Sequence, residues 1–269
     1  MNRLDGKVAL VTGAGGGIGK TIAHAMAVTG ARVGVLDIER EWANSVTTEI
    51  KREGGEAVSI CADVSRKDQV SAGVHACANR WGRLDILVNN AAVIGDREDL
   101  LVDVEEADWD RVMAVNVKGP FLCIQAAAPL LRSSGGGSII NVTSIGGHLC
   151  YPRRRAYGVS KAALENLTMQ AAVELGPWNI RVNSVSPGWF RTRMTEYAYS
   201  KPEELERRSG TVPLKRIGDP WDIAHLVVFL SSDESEYISG ASIEVDGGLL
   251  AAALKSTFDL ARIRPLEQQ

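Results

Sequence analysis

The sequence predicts an α/β chain in which a mainly parallel sheet is wrapped on both faces by helices. Three observations carry that expectation: β-branched runs alternate with helical patterns through four repeats, a glycine-rich turn joins the first strand to the first helix, and polar residues close several strands. In a sheet of this kind ligands sit outside the carboxyl ends of the strands.

Residues 7–12 read as a buried strand, and residues 20–28 are apolar at helical spacing. Between them runs Thr12-Gly-Ala-Gly-Gly-Gly-Ile-Gly19. Such a turn presents unpaired backbone N–H groups and a helix N-terminus to a phosphate, and only glycine leaves the backbone that accessible. A P-loop would need glycine five positions before Gly19, where Ala14 stands, and GxGxxG fails at Ile18. What remains is GxxxGxG at Gly13, Gly17 and Gly19, either a phosphate cradle or a loop in which glycine only packs.

Residues 31–37 form the second strand, and its closing acid, Asp37, stands eighteen positions after Gly19. That spacing suits a carboxylate accepting hydrogen bonds from the adenosine ribose hydroxyls of NAD, where it would repel a ribose phosphate. Gly16 supplies no cation within the turn, while Arg40 keeps NADP as the less favoured cofactor. The plain alternative for Asp37 is a solvent residue or helix cap at a strand end.

A helix is expected over 41–53, a third strand over 56–62 with Asp63 and Val64 as its polar exit, and a helix to about Trp81 that Ser65 would cap. The fourth strand, 84–89, ends in Asn89-Asn90-Ala-Ala, amides that suit a ligand or, by spacing alone, a turn. A long helix over about 108–131 carries Asn116 between Val115 and Val117, so a buried, hydrogen-bonded amide stands beside a solvent-facing one. After a turn at 135–138, the fifth strand closes on Ser144, and a helix over about 155–176 brings Tyr157 and Lys161 to the same sheet edge. Four apart, the two side chains share one helix face. A free phenol has a pKa of about 10, and a neighbouring ammonium favours the phenolate, which makes such a tyrosine a usable acid/base. A surface pair on an amphipathic helix is the plain alternative. A helix over 220–230 and a last strand over 241–245 complete the pattern.

With 45% hydrophobic and 23% charged residues and a net charge of −3, the 269-residue chain offers no field suited to nucleic acid or an anionic membrane. Small molecules are the expected partners. No apolar run suggests a membrane span or a signal-peptide core, so a cytoplasmic location is expected. Four cysteines without CxxC or metal-ligand spacing point to reduced thiols and no metal.

As a set, these residues resemble the short-chain dehydrogenase/reductase family in its single-domain form, from about Lys7 to Gly248. Gly13, Gly17, Ile18 and Gly19 resemble its cofactor turn, Asp63-Val64 its adenine-contacting pair, and Asn89-Asn90-Ala91-Ala92 its NNAG, with Ala92 where glycine is commoner. Asn116, Ser144, Tyr157 and Lys161 resemble its catalytic tetrad, Pro187-Gly188 with Thr192 its nicotinamide-side loop, and Asp246-Gly247-Gly248 its closing motif. The resemblance implies a single-domain Rossmann fold, doubly wound, with a mainly seven-stranded parallel sheet over residues 1–248, a substrate lid at about 189–208 and an extension over 249–269. It also implies a homotetramer.

The implied activity is NAD-dependent hydride transfer between a nicotinamide and a secondary alcohol or ketone. Tyr157 would act as acid/base, Ser144 would orient the substrate oxygen, Lys161 would bind the nicotinamide ribose, Asn116 would hold a water linking Lys161 to solvent, and Thr192 would touch the carboxamide. A 3-oxoacyl-thioester reductase using NADP is the nearest alternative, followed by an epimerase or dehydratase and by a non-catalytic NAD sensor. Pocket walls are expected at 94–97, 145–151 and 189–208, where Leu149, Tyr151, Trp189 and Phe190 suggest a partly apolar substrate. His148 is a substrate contact or a solvated histidine. Arg153, Arg154 and Arg155, with Arg191 and Arg193, are a solvated basic loop or, less favoured, a lure for an acidic substrate. Cys150 is expected to pack, as are Leu254, Phe258 and Ile263 of the extension.

Overall fold

The computed structural model describes residues 4–95, 100–150, 155–192, 195, 199 and 201–252. Seven parallel strands form one sheet in the order β3-β2-β1-β4-β5-β6-β7. The strands are β1 (Val8–Thr12), β2 (Arg32–Asp37), β3 (Glu56–Cys61), β4 (Ile86–Asn89), β5 (Gly137–Val142), β6 (Ile180–Pro187) and β7 (Ser242–Val245). β1 lies between β2 and β4, with Val11 opposite Val35 on one side and Val88 on the other. The strand order reverses there, which opens a crevice at the carboxyl ends of β1 and β4.

Both faces of the sheet are covered, because consecutive residues of its central strands are apolar and successive side chains point to opposite faces. Ala9 and Val11 point into a core with Ile22 and Met26 of α1 (Gly17–Val28), Val46 and Ile50 of α2 (Arg40–Arg52) and Val227 of α8 (Pro220–Ser231). Val8 and Leu10 point the other way, toward Val74 of α3 (Lys67–Trp81), Leu131 of α5 (Gly119–Ser133) and Ala171 of α6 (Arg155–Leu175). α3 presses so closely on β2 that a Cβ at Gly34 would lie 2.6 Å from Cys77 Sγ. Burial pushes the Cys77 and Cys123 thiols up to about 12, and all four cysteines are free.

The helix expected over 108–131 runs from Glu106 to Ser133, but α4 (Glu106–Met113) passes into α5 through a π turn at Ala114–Lys118. Against expectation, this helix is long and apolar enough to span a membrane, and half of that window is buried inside the protein, as in a core helix. Ser65 does not cap α3: its N–H and hydroxyl both bond Asp63 Oδ1, and Arg66 takes the cap position. β6 and α7 (Pro202–Thr211) have no counterpart among the sequence expectations.

Candidate active site

A cavity of about 780 Å³ opens at the carboxyl ends of the strands, from Asp37 at one end to Tyr157 and the residues after β6 at the other. The glycine turn is its floor, and β4 holds it from beneath. Thr12 Oγ1 donates to Val88 O at 3.3 Å and accepts the Asn90 and Ala91 N–H groups at 3.0 and 3.1 Å. Asn90 Nδ2 in turn donates to Thr12 O and Gly13 O, both at 3.0 Å. Asn90 therefore lines the cavity by fixing the turn, with its amide protons already spent. Asn89 closes no turn: buried at the end of β4, it donates to Asn141 Oδ1 at 2.9 Å.

Gly13 sits at φ +61, and a Cβ there would come within 2.7 Å of Ala91 Cα. Only glycine fits that approach. α1 then begins without a side-chain cap, leaving the first-turn N–H groups beside Gly17 and Ile18 open to the cavity. Uncapped donors on the positive end of a helix are the chemistry that holds a pyrophosphate, so this floor fits a dinucleotide.

At the β2 end, Asp37 is 7% exposed, and its carboxylate accepts the Gly15 N–H at 2.8 Å and the Glu39 N–H at 3.0 Å. The acid thus ties the glycine turn to the start of α2 while still lining the cavity. Ile38, Trp42 and Val64 form apolar walls around it, with Asp63 beside them. Asp63 spends Oδ1 on Ser65. Arg40 is exposed and is not part of the wall, so the described cations of the cavity, Lys161, Arg207 and Arg208, all belong to other elements.

β5 stops at Val142, short of the expected Ser144, which instead caps the 3₁₀ turn Ile145–Gly147, its Oγ accepting the Gly146 N–H at 3.1 Å. A Cβ at Gly146 would lie 3.3 Å from Ser144 Oγ and 3.7 Å from Tyr157 Cε1, so a single residue separates the serine hydroxyl from the tyrosine ring. Lys161 is one turn further along α6, its Nζ 5.7 Å from the centre of that ring. The lysine is 2% exposed and donates to Val142 O at 2.8 Å. Among the described residues no other acceptor takes the remaining ammonium protons, which leaves donors at the cavity wall. Burial pulls the Lys161 pKa down to about 8, against an opposing pull from Glu165 one turn on.

Asn116 is fully buried in the π turn. Its Oδ1 accepts Val93 N–H at 2.8 Å, and its Nδ2 donates to Val93 O at 2.9 Å and Ser160 Oγ at 3.0 Å. Of the two sequence readings the buried one is correct. The amide braces the β4 exit against α6 beside Lys161, and it does not itself line the cavity.

Pro187 and Gly188 line the opposite wall with Trp189, Phe190 and Thr192. A Cβ at Gly17 would lie 3.7 Å from Thr192 Cβ, so this segment passes over the glycine turn. The closing motif supports it: a Cβ at Gly188 would lie 2.6 Å from Asp246 Cβ, and Asp246 accepts the Gly248 and Leu250 N–H groups at 2.8 and 2.6 Å.

His148, Leu149 and Cys150 do not reach this cavity. His148 instead faces Glu165 at 2.9 Å and Glu244 at 3.8 Å, so its ring is engaged by acids rather than simply solvated. Desolvation raises the Glu165 pKa, with His148 pulling against it. Arg155 is spent on Asp108 at 3.1 Å with its side chain 6% exposed, which removes it from any basic loop. Arg97, Tyr151, Arg153, Arg154, Arg193, Leu254, Phe258 and Ile263 lie outside the described residues. Trp42, Tyr199, Arg207 and Arg208, which the sequence reading did not single out, all line the cavity. Among the described residues no group of three His, Cys, Asp or Glu side chains could hold a metal ion.

A family model described as enoyl-(acyl carrier protein) reductase matches residues 13–250. The 3-oxoacyl-[acyl-carrier-protein] reductase FabG of Thermotoga maritima is 40% identical over 92% of this chain and 99% of its own. The structure of a 7α-hydroxysteroid dehydrogenase complexed with NADH and 7-oxo glycochenodeoxycholic acid superposes with a TM-score of 0.87, at 38% identity over 92% of this chain and 95% of that one. A gluconate 5-dehydrogenase from Burkholderia cenocepacia, in complex with NADP and tartrate, gives 0.88 at 33% identity over 93% and 98%. With the parallel seven-stranded order and the glycine turn in place, the chain belongs to the short-chain dehydrogenase/reductase family of oxidoreductases.

Proposed function

We propose an NAD-dependent oxidoreductase that interconverts a secondary alcohol and a ketone, with Tyr157 as acid/base. The observation that carries this reading is that Ser144, Tyr157 and Lys161 line the same cavity as an uncapped, glycine-rich helix start. A nicotinamide cofactor, when bound, accepts or supplies the hydride. Tyr157 removes the alcohol proton in oxidation and returns it to the carbonyl oxygen in reduction. Ser144 Oγ donates to that oxygen and keeps it beside the tyrosine. The free ammonium protons of Lys161 bind the nicotinamide ribose and favour the tyrosinate, while Asn116 acts as a positioning residue through Val93 and Ser160. Pro187, Gly188 and Thr192 would face the nicotinamide, and Asp63 with Val64 the adenine.

The pH dependence follows from the buried ammonium. Below about 8 Lys161 holds its proton, and above it the Tyr157–Lys161 pair is one proton short. Oxidation needs the deprotonated pair, so its kcat/KM is expected to rise through about pH 8, and reduction to fall. Flat profiles in both directions would mean that the pair does not move the proton.

NAD is the proposed cofactor because a buried carboxylate, with no wall cation on its own element, stands where a ribose phosphate would have to go. Asp37→Asn keeps an oxygen for the Gly15 N–H and removes the charge. It is expected to raise the NADP-to-NAD ratio of kcat/KM about tenfold, and an unchanged ratio would misplace the ribose. The second reading, a 3-oxoacyl-thioester reductase using NADP, is favoured by the 40% identity to a reductase of that name. NAD(H) and NADP(H) binding by fluorescence, followed by turnover of ketones, alcohols and a 3-oxoacyl thioester, separates the two. Tight NAD binding with alcohol turnover supports the first, and NADP preference with thioester turnover supports the second. NAD binding without turnover would favour a sensor. By resemblance we extend the reading to a homotetrameric, cytoplasmic enzyme acting on a small molecule.

A further inference from the structure

α7 begins on Pro202, places Glu203 and Glu204 in its first turn, and carries Arg207 and then, in its last turn, Arg208. Glu204 takes Arg207 Nε at 2.8 Å and Nη2 at 2.7 Å on its two oxygens, and Arg208 Nε at 2.7 Å on Oε1. Two guanidinium groups thus share one carboxylate, and the cluster keeps a net positive charge. The two arginines are not equivalent. Arg207 is 63% exposed with its fork on the acid, whereas Arg208 is 21% exposed and spends only Nε there. Among the described residues nothing takes its two terminal nitrogens.

Arg208 is also held in place from the cavity side. Its guanidinium carbon lies 5.2 Å from the centre of the Trp189 ring and 5.6 Å from that of Tyr199, within cation–π range of both. All three residues line the cavity, whose only described acidic lining residues, Asp37 and Asp63, come from the β2 and β3 ends. A planar cation fixed by two rings and by Glu204, an acid it shares with Arg207, still has unspent terminal N–H groups at the cavity wall and is built to receive a second carboxylate side-on.

We propose that the substrate of this cavity carries a carboxylate and that Arg208 binds it, a reading that rests on the alcohol/ketone chemistry proposed above. The reacting oxygen sits at Ser144 and Tyr157, and the charged end reaches the Trp189–Arg208–Tyr199 wall. The enzyme then selects hydroxy acids and keto acids over their neutral counterparts. Of the arginines weighed for this task in the sequence, Arg155 is committed to Asp108 and Arg191 is exposed outside the cavity wall, so the acid-binding cation is on α7 instead.

The test pairs keto acids with their own carboxamides, over straight-chain and cyclic carbon skeletons. Their binding to the NADH complex is read by nicotinamide fluorescence, and their reduction by absorbance. In the wild type the carboxylate member is expected to bind at least about tenfold more tightly than its amide. Arg208→Gln is expected to erase that difference while NADH affinity stays put, and Arg208→Lys to restore part of it. Equal binding of acid and amide across the wild-type panel overturns the proposal. So does a loss in Arg208→Gln that falls equally on the amide or on NADH, which would make the arginine a lid strut or a cofactor contact. Binding without reduction of any member leaves the carboxylate site standing and counts against the hydride-transfer reading instead.

Discussion

Tyr157→Phe is expected to abolish turnover in both directions while NADH still binds. Phenylalanine keeps the ring that lies next to Gly146 and near the Lys161 ammonium, and removes only the oxygen that would carry the proton. Losing a general acid/base typically costs about 10²–10⁴ in rate, and among the described residues Lys161 is the titratable side chain that lines the cavity with Ser144 and Tyr157 on this wall. Steady-state kinetics in both directions, with NADH affinity from fluorescence, gives the answer. A kcat near wild type would remove Tyr157 as the acid/base, and a parallel loss of NADH affinity would make the residue a cofactor contact.

Gly19→Ala should be the most damaging single-methyl change in the cofactor turn. The new Cβ would lie 2.3 Å from Gly13 O and 2.4 Å from Asn90 Nδ2, the two atoms whose hydrogen bond fixes the turn to β4. Neither can retreat: Gly13 is pinned by Ala91, and Asn90 also holds Thr12 O. Forced overpacking of this kind costs about 1–3 kcal/mol. We expect a lower Tm and a loss of NADH binding together. Gly16→Ala is the stability control, since nothing lies within 4 Å of a Cβ there and its backbone is extended, at φ −167. Equal Tm for the two variants would show that the turn is looser than its contacts imply.

What could be read from the sequence was whatever local spacing encodes. The glycine turn, the acid closing β2 and the Tyr157–Lys161 pair each depend on residues within a turn or one strand–helix unit, and all of them line the cavity. β6 escaped notice because its polar residues, Asn183, Ser184 and Ser186, interrupt the apolar run expected of a buried strand. They are buried, and Asn183 is satisfied by Ile238 O and the Ala241 N–H, nearly sixty residues away. Asn89 was misread for the same reason, its partner Asn141 lying on another strand. Arg208 left a local trace in its i, i+4 spacing from Glu204. Its stacking on Trp189 and Tyr199 is tertiary, and nothing in the order of residues distinguishes it from its neighbour Arg207.

The π turn at Asn116 bears on how the protein comes apart. One carboxamide grips both backbone groups of Val93 and the hydroxyl of Ser160, which itself donates to Tyr157 O. Release of that amide would undo three hydrogen bonds at once, to Val93 N–H, Val93 O and Ser160 Oγ, and leave the fully buried Asn116 side chain unsatisfied. The strand exit, the long helix and the first turns of α6 are therefore bound to open as one cooperative unit. Fraying from either end is expected to stop short of it, so that Tyr157 and Lys161 keep their alignment until that whole unit gives way.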